Sequence, residues 1–334
     1  MSRLTLLTAV LPLLLCAPAA AEFNAYVVNE GSASVSIIGT KNDEVSGTIK
    51  VGDQPRGLAV STDAERLYVI HDDGTLLERE LYAKADSGGA KLGRLPRSIN
   101  LSPDGRVLAA AMQGDAEIVL IDLATMRVVR KIPIVGGKRP VNAVFSPDGR
   151  WIYVTAEESP EIHVIDVKQG AVTNSIRVGP QLHGIAFLPD GSRAYVAAGR
   201  GEVVVIDVAR QAVLARVKTA NAPFAVTAHR DGKRVFVSAS GAGKVQVLDT
   251  RANRIVADFE VGRGCSSMAL TPDGRKMYVA CGPANQVSVI DTSTYKRLAQ
   301  VAVGVGPVSV VISDPNPPLD GGESPPRRGR TGAS

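Results

Sequence analysis

One unit recurs along almost the whole of this 334-residue chain. In the copy from Val261 to Val303 it reads Val-Gly, a loop, an apolar run, Thr-Pro-Asp-Gly-Arg, a Tyr-Val run, a polar loop, Val-Ile-Asp-Thr and a last short run. Three markers keep one period. Gly52, Gly93, Gly136, Gly179, Gly262 and Gly304, with Ala220 standing in once, follow each other at steps of 41 to 43 residues. Asp63, Asp104, Asp148, Asp190, Asp231 and Asp273 mark a turn, and Asp122, Asp166, Asp207, Asp249 and Asp291 end an apolar run. A period of about 40–50 residues holding several short strands is the mark of a propeller blade. The chain therefore reads as all-β, a seven-bladed β-propeller of four-stranded antiparallel blades over residues 22–313.

The runs Ala25-Tyr26-Val27-Val28-Asn29, Leu67-Tyr68-Val69, Ile152-Tyr153-Val154-Thr155 and Met277-Tyr278-Val279 carry a resemblance. With the Ser-Pro-Asp-Gly turns and the Val-Ile-Asp ends, they resemble the YVTN family of β-propeller repeat proteins. That resemblance implies the scaffold and leaves the activity open, because one scaffold hosts many functions. Gly282-Pro283-Ala284-Asn285-Gln286-Val287, followed by Asp291-Thr292-Ser293-Thr294-Tyr295-Lys296, is similar to propellers associated with PQQ-dependent oxidation systems. It implies an accessory role beside a periplasmic dehydrogenase.

The chain enters the ring inside a blade. Ala25–Asn29, Ala33–Ile38 and Glu44–Lys50 read as second, third and fourth strands, and the missing first strand reappears in Gly306–Ser313. Pairing the N-terminal strands with this C-terminal strand closes the ring and removes an exposed edge. The blade from Pro55 to Leu92 lacks a Val-Ile-Asp pair. Its alternation places Leu77, Arg79 and Leu81 on one face and Leu76, Glu78 and Glu80 on the other, as strands would, with a short helix as the alternative.

Residues 1–21 carry Arg3, an apolar run from Leu4 to Leu15 and Ala19-Ala20-Ala21. This pattern reads as a cleavable secretory signal and places the mature protein in the periplasm. Leu15 before Cys16 is larger than a lipid-attachment motif wants. Residues 314–334, rich in Pro, Gly and Ser, read as a disordered tail. The formal net charge of +5 is modest, and aromatic residues make up 4% of the chain, so neither charge nor aromatic interleaving points to a nucleic-acid partner. A monomer is expected.

Cys265 and Cys281 remain after export, on either side of the turn at Asp273. Antiparallel pairing about that turn sets them directly opposite, and an oxidising compartment favours a Cys265–Cys281 disulfide.

The aspartates of the repeat read as turn formers and caps rather than as acids or bases. No Cys-x-x-Cys-His, glycine-rich phosphate loop or Gly-x-Ser-x-Gly is present, and the four histidines lack metal-ligand spacing, so no catalytic constellation and no metal site is assigned. The positions entering the first strands should ring one mouth of the channel: Arg56, Arg97, Val141, His183, Phe224, Ser266 and Val308. Arg56 and Arg97, in adjacent blades, can clamp a carboxylate or phosphate. Phe224 offers an apolar wall, His183 a titratable donor, and His71 is placed in a loop at the same mouth. The cofactor stays open. The leading expectation is a binding or scaffold protein, taking an anionic small molecule or an envelope partner such as a dehydrogenase or other redox protein. The alternatives are a lactonase-like hydrolase and a propeller that binds or matures d-type haem.

Overall fold

A computed structural model describes residues 23–81, 85–136, 139–199 and 201–313. The expected leader and tail lie outside these residues. The described chain forms seven four-stranded antiparallel sheets, with one 3-10 turn at Gly282–Ala284. Six blades run consecutively, from blade 2 (55–91) to blade 7 (265–302). Blade 1 is composite: Pro307–Ser313 pairs with Asn24–Asn29, which continues into Ser34–Gly39 and Glu44–Lys50.

Burial follows strand position. The second strands are almost wholly buried, because both of their faces meet neighbouring blades, and they carry Tyr, Val, Ile and Ala throughout. The fourth strands are mostly exposed, with half-buried residues alternating along Arg254–Glu260, as an outer rim must be. Apolar side chains gather into seven clusters, each straddling two neighbouring blades. One of them joins Ala25 and Val27 of blade 1 to Tyr278 and Val289 of blade 7, so the ring is closed.

The repeated aspartates do local work. Asp104 Oδ1 accepts from Ser102 Oγ at 2.6 Å and from the Arg106 N–H at 3.1 Å, which holds the tight turn. Asp291 Oδ1 accepts from the N–H groups of Ser293 and Thr294 at the end of its strand. A further device joins three consecutive pairs of blades. Arg193, Arg234 and Lys276, each opening a second strand, donate to the carbonyl oxygens of Thr250, Thr292 and Thr40 in the next blade, at 2.6, 2.6 and 2.8 Å.

Blade 2 is built of strands throughout. Thr75–Glu80 and Ala85–Lys91 are its third and fourth, so the helical alternative does not form. Leu76 faces blade 3 and Leu77 faces blade 1, as the alternation predicts. The exception to the pattern is Glu78, a carboxylate that is 1% exposed. Its Oε1 lies 3.8 Å from Arg66 Nε, and neither oxygen has a hydrogen-bond partner among the described residues.

In blade 7, Cys265 and Cys281 are register partners and form a disulfide, with Cα atoms 4.0 Å apart.

Candidate functional site

The first strands of all seven blades line a central channel of about 710 Å³. The seven ring positions all border it. In all six consecutive blades the register slips just after the first residue of the first strand; in blade 3 it slips between Pro96 and Ser98. Such a bulge breaks strict alternation, so two consecutive residues turn toward one side. Arg97 and Ser98 in blade 3, and Val141 and Asn142 in blade 4, both reach the channel this way. Alternation alone would send one of each pair outward, so the pattern does not announce Ser98 and Asn142 as channel residues.

Apart from Arg56, Arg97 and the titratable His183, the channel lining is uncharged. Asn100 Nδ2 donates to Asn142 Oδ1 at 2.9 Å, tying blades 3 and 4 together at the wall. None of the lining residues is acidic.

The two arginines differ in state. Arg56 Nε and Nη2 donate to both carboxylate oxygens of Asp72 at 2.5 and 2.6 Å, and Nη1 lies 2.9 Å from Glu30. The Asp72 bond, more than any other contact, pushes the Arg56 pKa up. With two carboxylates on it, Arg56 presents no free positive charge, and the expected Arg56–Arg97 pair does not exist as two equal cations. Arg97 is half-buried at the mouth and, among the described residues, has no ion pair and no side-chain hydrogen bond.

The histidines divide in the same way. His71 ends the second strand of blade 2, is buried, and does not line the channel; its expected place in a mouth loop is corrected. Its Nε2 lies 2.7 Å from Val51 O and its Nδ1 3.1 Å from Thr75 O. His163 is held between Ser159 and Ser175, and His229 contacts Gly274 O and Asp231. In His183 alone, among the described residues, is neither ring nitrogen hydrogen-bonded, and its Nδ1 is buried. Its ring stacks on Phe224, with centroids 4.8 Å apart. Burial pushes its pKa below the usual histidine value; Arg97 acts in the same direction and Glu157 opposes. His183 is thus a neutral imidazole near neutral pH, with neither ring nitrogen engaged by a described residue. No carboxylate orients it, as an acid–base dyad would require.

No helix among the described residues is long and apolar enough to cross a membrane. The described residues contain no cluster of three or more metal-ligating side chains.

The family model described as cytochrome D1 heme domain matches residues 23–198, and the one described as YNCE-like beta-propeller matches residues 195–318. Protein NirF of Pseudomonas aeruginosa is 27% identical over 192 residues, covering 53% of this chain and 47% of that protein. The chain spans about a third to a half of the length of the curated relatives it matches. Among solved structures, the Kuenenia stuttgartiensis hydrazine synthase superposes with a TM-score of 0.73 at 24% identity, covering 80% of this chain and 92% of that one. The dihydro-heme d1 dehydrogenase NirN in complex with DHE superposes with a TM-score of 0.65 at 18% identity, covering 84% and 73%. At such identities the superpositions speak to fold alone. The propeller family read from the repeats is supported, and since the first model spans more than half of the 334 residues, the chain belongs to the cytochrome D1 heme domain family of β-propellers.

Proposed function

We propose that this chain is a periplasmic propeller on a YVTN-type repeat scaffold that binds a d-type iron tetrapyrrole over the channel mouth, in a haem-based redox or maturation system. The observation that carries this reading is His183. It is a neutral imidazole at the mouth, stacked on Phe224, with no competing hydrogen bond on either nitrogen among the described residues. The match to the cytochrome D1 heme domain model supports a tetrapyrrole over the quinone-linked accessory role.

The side chains present fit such a group. An iron tetrapyrrole needs an axial nitrogen donor, an apolar surface for its ring and cations for its carboxylates. When bound, the group supplies redox chemistry at its iron. His183 holds a lone pair at the mouth, and stacking on Phe224 fixes the ring where a second hydrogen bond often would. Arg97, a cation bordering the same channel, would meet the group's carboxylates. Asp72 and Glu30 neutralise Arg56 and keep it as part of the wall. The first-strand backbones, packed blade to blade, hold these groups in place without a moving part.

The test is visible absorption. Protein isolated from its own periplasm, or titrated with isolated d1 haem, should show the bands of an imidazole-coordinated iron, and His183→Ala should lose them. A colourless protein that takes up no d1 haem ends this reading.

A further inference from the structure

We infer that two buried hydroxyls, Thr155 of blade 4 and Ser238 of blade 6, are positioning residues for the His183–Phe224 pair. The inference deepens the tetrapyrrole reading and rests on it for the ligand, since this is the pair proposed to meet that group. The placement itself is a property of the ligand-free chain.

The two rings stand where the sheet holds its first strand least. In the other five blades the ladder between first and second strands resumes at the third residue of the first strand, as at Ser98 and Asn142. In blades 5 and 6 it resumes only at the fourth, Ile185 and Val226. The dipeptides His183-Gly184 and Phe224-Ala225 are therefore left out of the ladder. Backbone groups freed in this way need other partners. His183 O accepts from Thr155 Oγ1 at 2.6 Å, and the Ala225 N–H donates to Ser238 Oγ at 2.8 Å.

Both hydroxyls occupy the fifth position of a second strand. The equivalent residues of the other blades are Val28, Ile70, Ala111, Ala197 and Ala280, all apolar and, like Thr155 and Ser238, fully buried. A buried hydroxyl is costly unless it is bonded, and these two occur only beside the two segments that the ladder omits. Between them the segments touch directly: a Cβ on Gly184 would lie 2.7 Å from Phe224 O and 2.9 Å from the Ala225 Cα. Thr155, His183-Gly184, Phe224-Ala225 and Ser238 thus form one line of contact across three blades. The stacked rings, with centroids 4.8 Å apart, are carried on its middle. Removing either hydroxyl frees one segment, lets the imidazole turn toward water and loosens the stack.

The experiment follows the His183 imidazole by NMR as pH is varied in the full, ligand-free protein, and then measures affinity for isolated d1 haem. Burial holds the His183 pKa below the usual value, so a ring released toward solvent titrates higher. Glu157 and Arg97, the charges that also act on it, are untouched by the variants. Thr155→Val and Ser238→Ala should each raise the titration midpoint toward the ordinary histidine value and weaken d1 haem by about tenfold. Thr155→Ser keeps the hydroxyl and should restore both. Ile70→Val, at the same position in blade 2, controls for lost packing and should leave the midpoint where it is. Thermal midpoints show which variants fold; should Thr155→Val not fold, Ser238→Ala decides. A wild-type titration midpoint in the hydroxyl-deleted variants, no rescue by Thr155→Ser, or an equal rise in Ile70→Val overturns the inference. A raised and rescuable midpoint in a protein that takes up no d1 haem upholds the positioning and ends the tetrapyrrole reading alone.

Discussion

Lys276 Nζ donates to Asp43 Oδ2 at 2.7 Å, although 233 positions separate the two residues. The same carboxylate accepts from Tyr278 Oη, and Lys276 also reaches Thr40 O. This contact locks the last complete blade to the composite first one. Asp43 is mostly shielded from solvent, so its partners cannot be repaid fully by water when it is removed.

Asp43→Ala should therefore destabilise the protein by about 2 kcal/mol, read as a lower midpoint in urea or heat. Glu117→Ala, which breaks the more exposed Lys131–Glu117 pair, should cost under about 1 kcal/mol. Equal effects would mean that the closure contact has no special weight.

Glu78 stands where the equivalent third-strand positions hold Ile37, Leu120, Val164, Val205, Val247 and Val289. Its carboxylate is buried with no hydrogen bond and a distant Arg66. Replacing a poorly paired buried charge by an apolar side chain is often neutral or stabilising by about 1–4 kcal/mol. Glu78→Leu should raise the thermal midpoint. Arg66, being partly exposed, can turn to water. A lower midpoint would show that the carboxylate is held by something it needs.

Gly184 sits where blade 5 touches blade 6. A Cβ there would lie 2.7 Å from Phe224 O and 2.9 Å from the Ala225 Cα. These are backbone atoms, and both blades would have to part. Gly184→Ala should cost about 1–3 kcal/mol and disturb the His183–Phe224 stack, lowering tetrapyrrole affinity as well. Wild-type stability in this variant would refute the close packing at the wall.

The titration of His183 gives a pH signature. Its pKa is lowered from 6.5 chiefly by burial, so the ring stays neutral as pH falls through the ordinary histidine range. A proton and an iron compete for the same lone pair. Affinity for an iron tetrapyrrole should be level from pH 8 to below 6.5, and decline only once the depressed value is passed. In the fold the sign is the same, because protonating a buried neutral imidazole destabilises the native state at low pH. A decline centred on 6.5 would place the ring in ordinary solvent.

The repeat period, the ring of seven, its closure through the termini, the strands of blade 2 and the Cys265–Cys281 pairing were all legible in the sequence. Each depends on local patterning: alternation selects faces, turn residues set register, and a fixed period puts equivalent residues at equivalent places. That is why the repeat brings Arg97, His183 and Phe224 to the same channel. The state of those side chains was a different matter. Arg56 and Arg97 occupy the same position in the repeat, yet Asp72 and Glu30 neutralise only the first. His71 and His183 are the same residue type, yet two carbonyl oxygens occupy one ring and neither nitrogen of the other is hydrogen-bonded. Ser98 and Asn142 entered the channel through bulges that alternation does not announce. Periodicity determines where a backbone goes, because it sums over many residues. Charge, burial and hydrogen-bond satisfaction depend on a few atoms brought within about 3 Å, and only the closed ring decided which atoms those were.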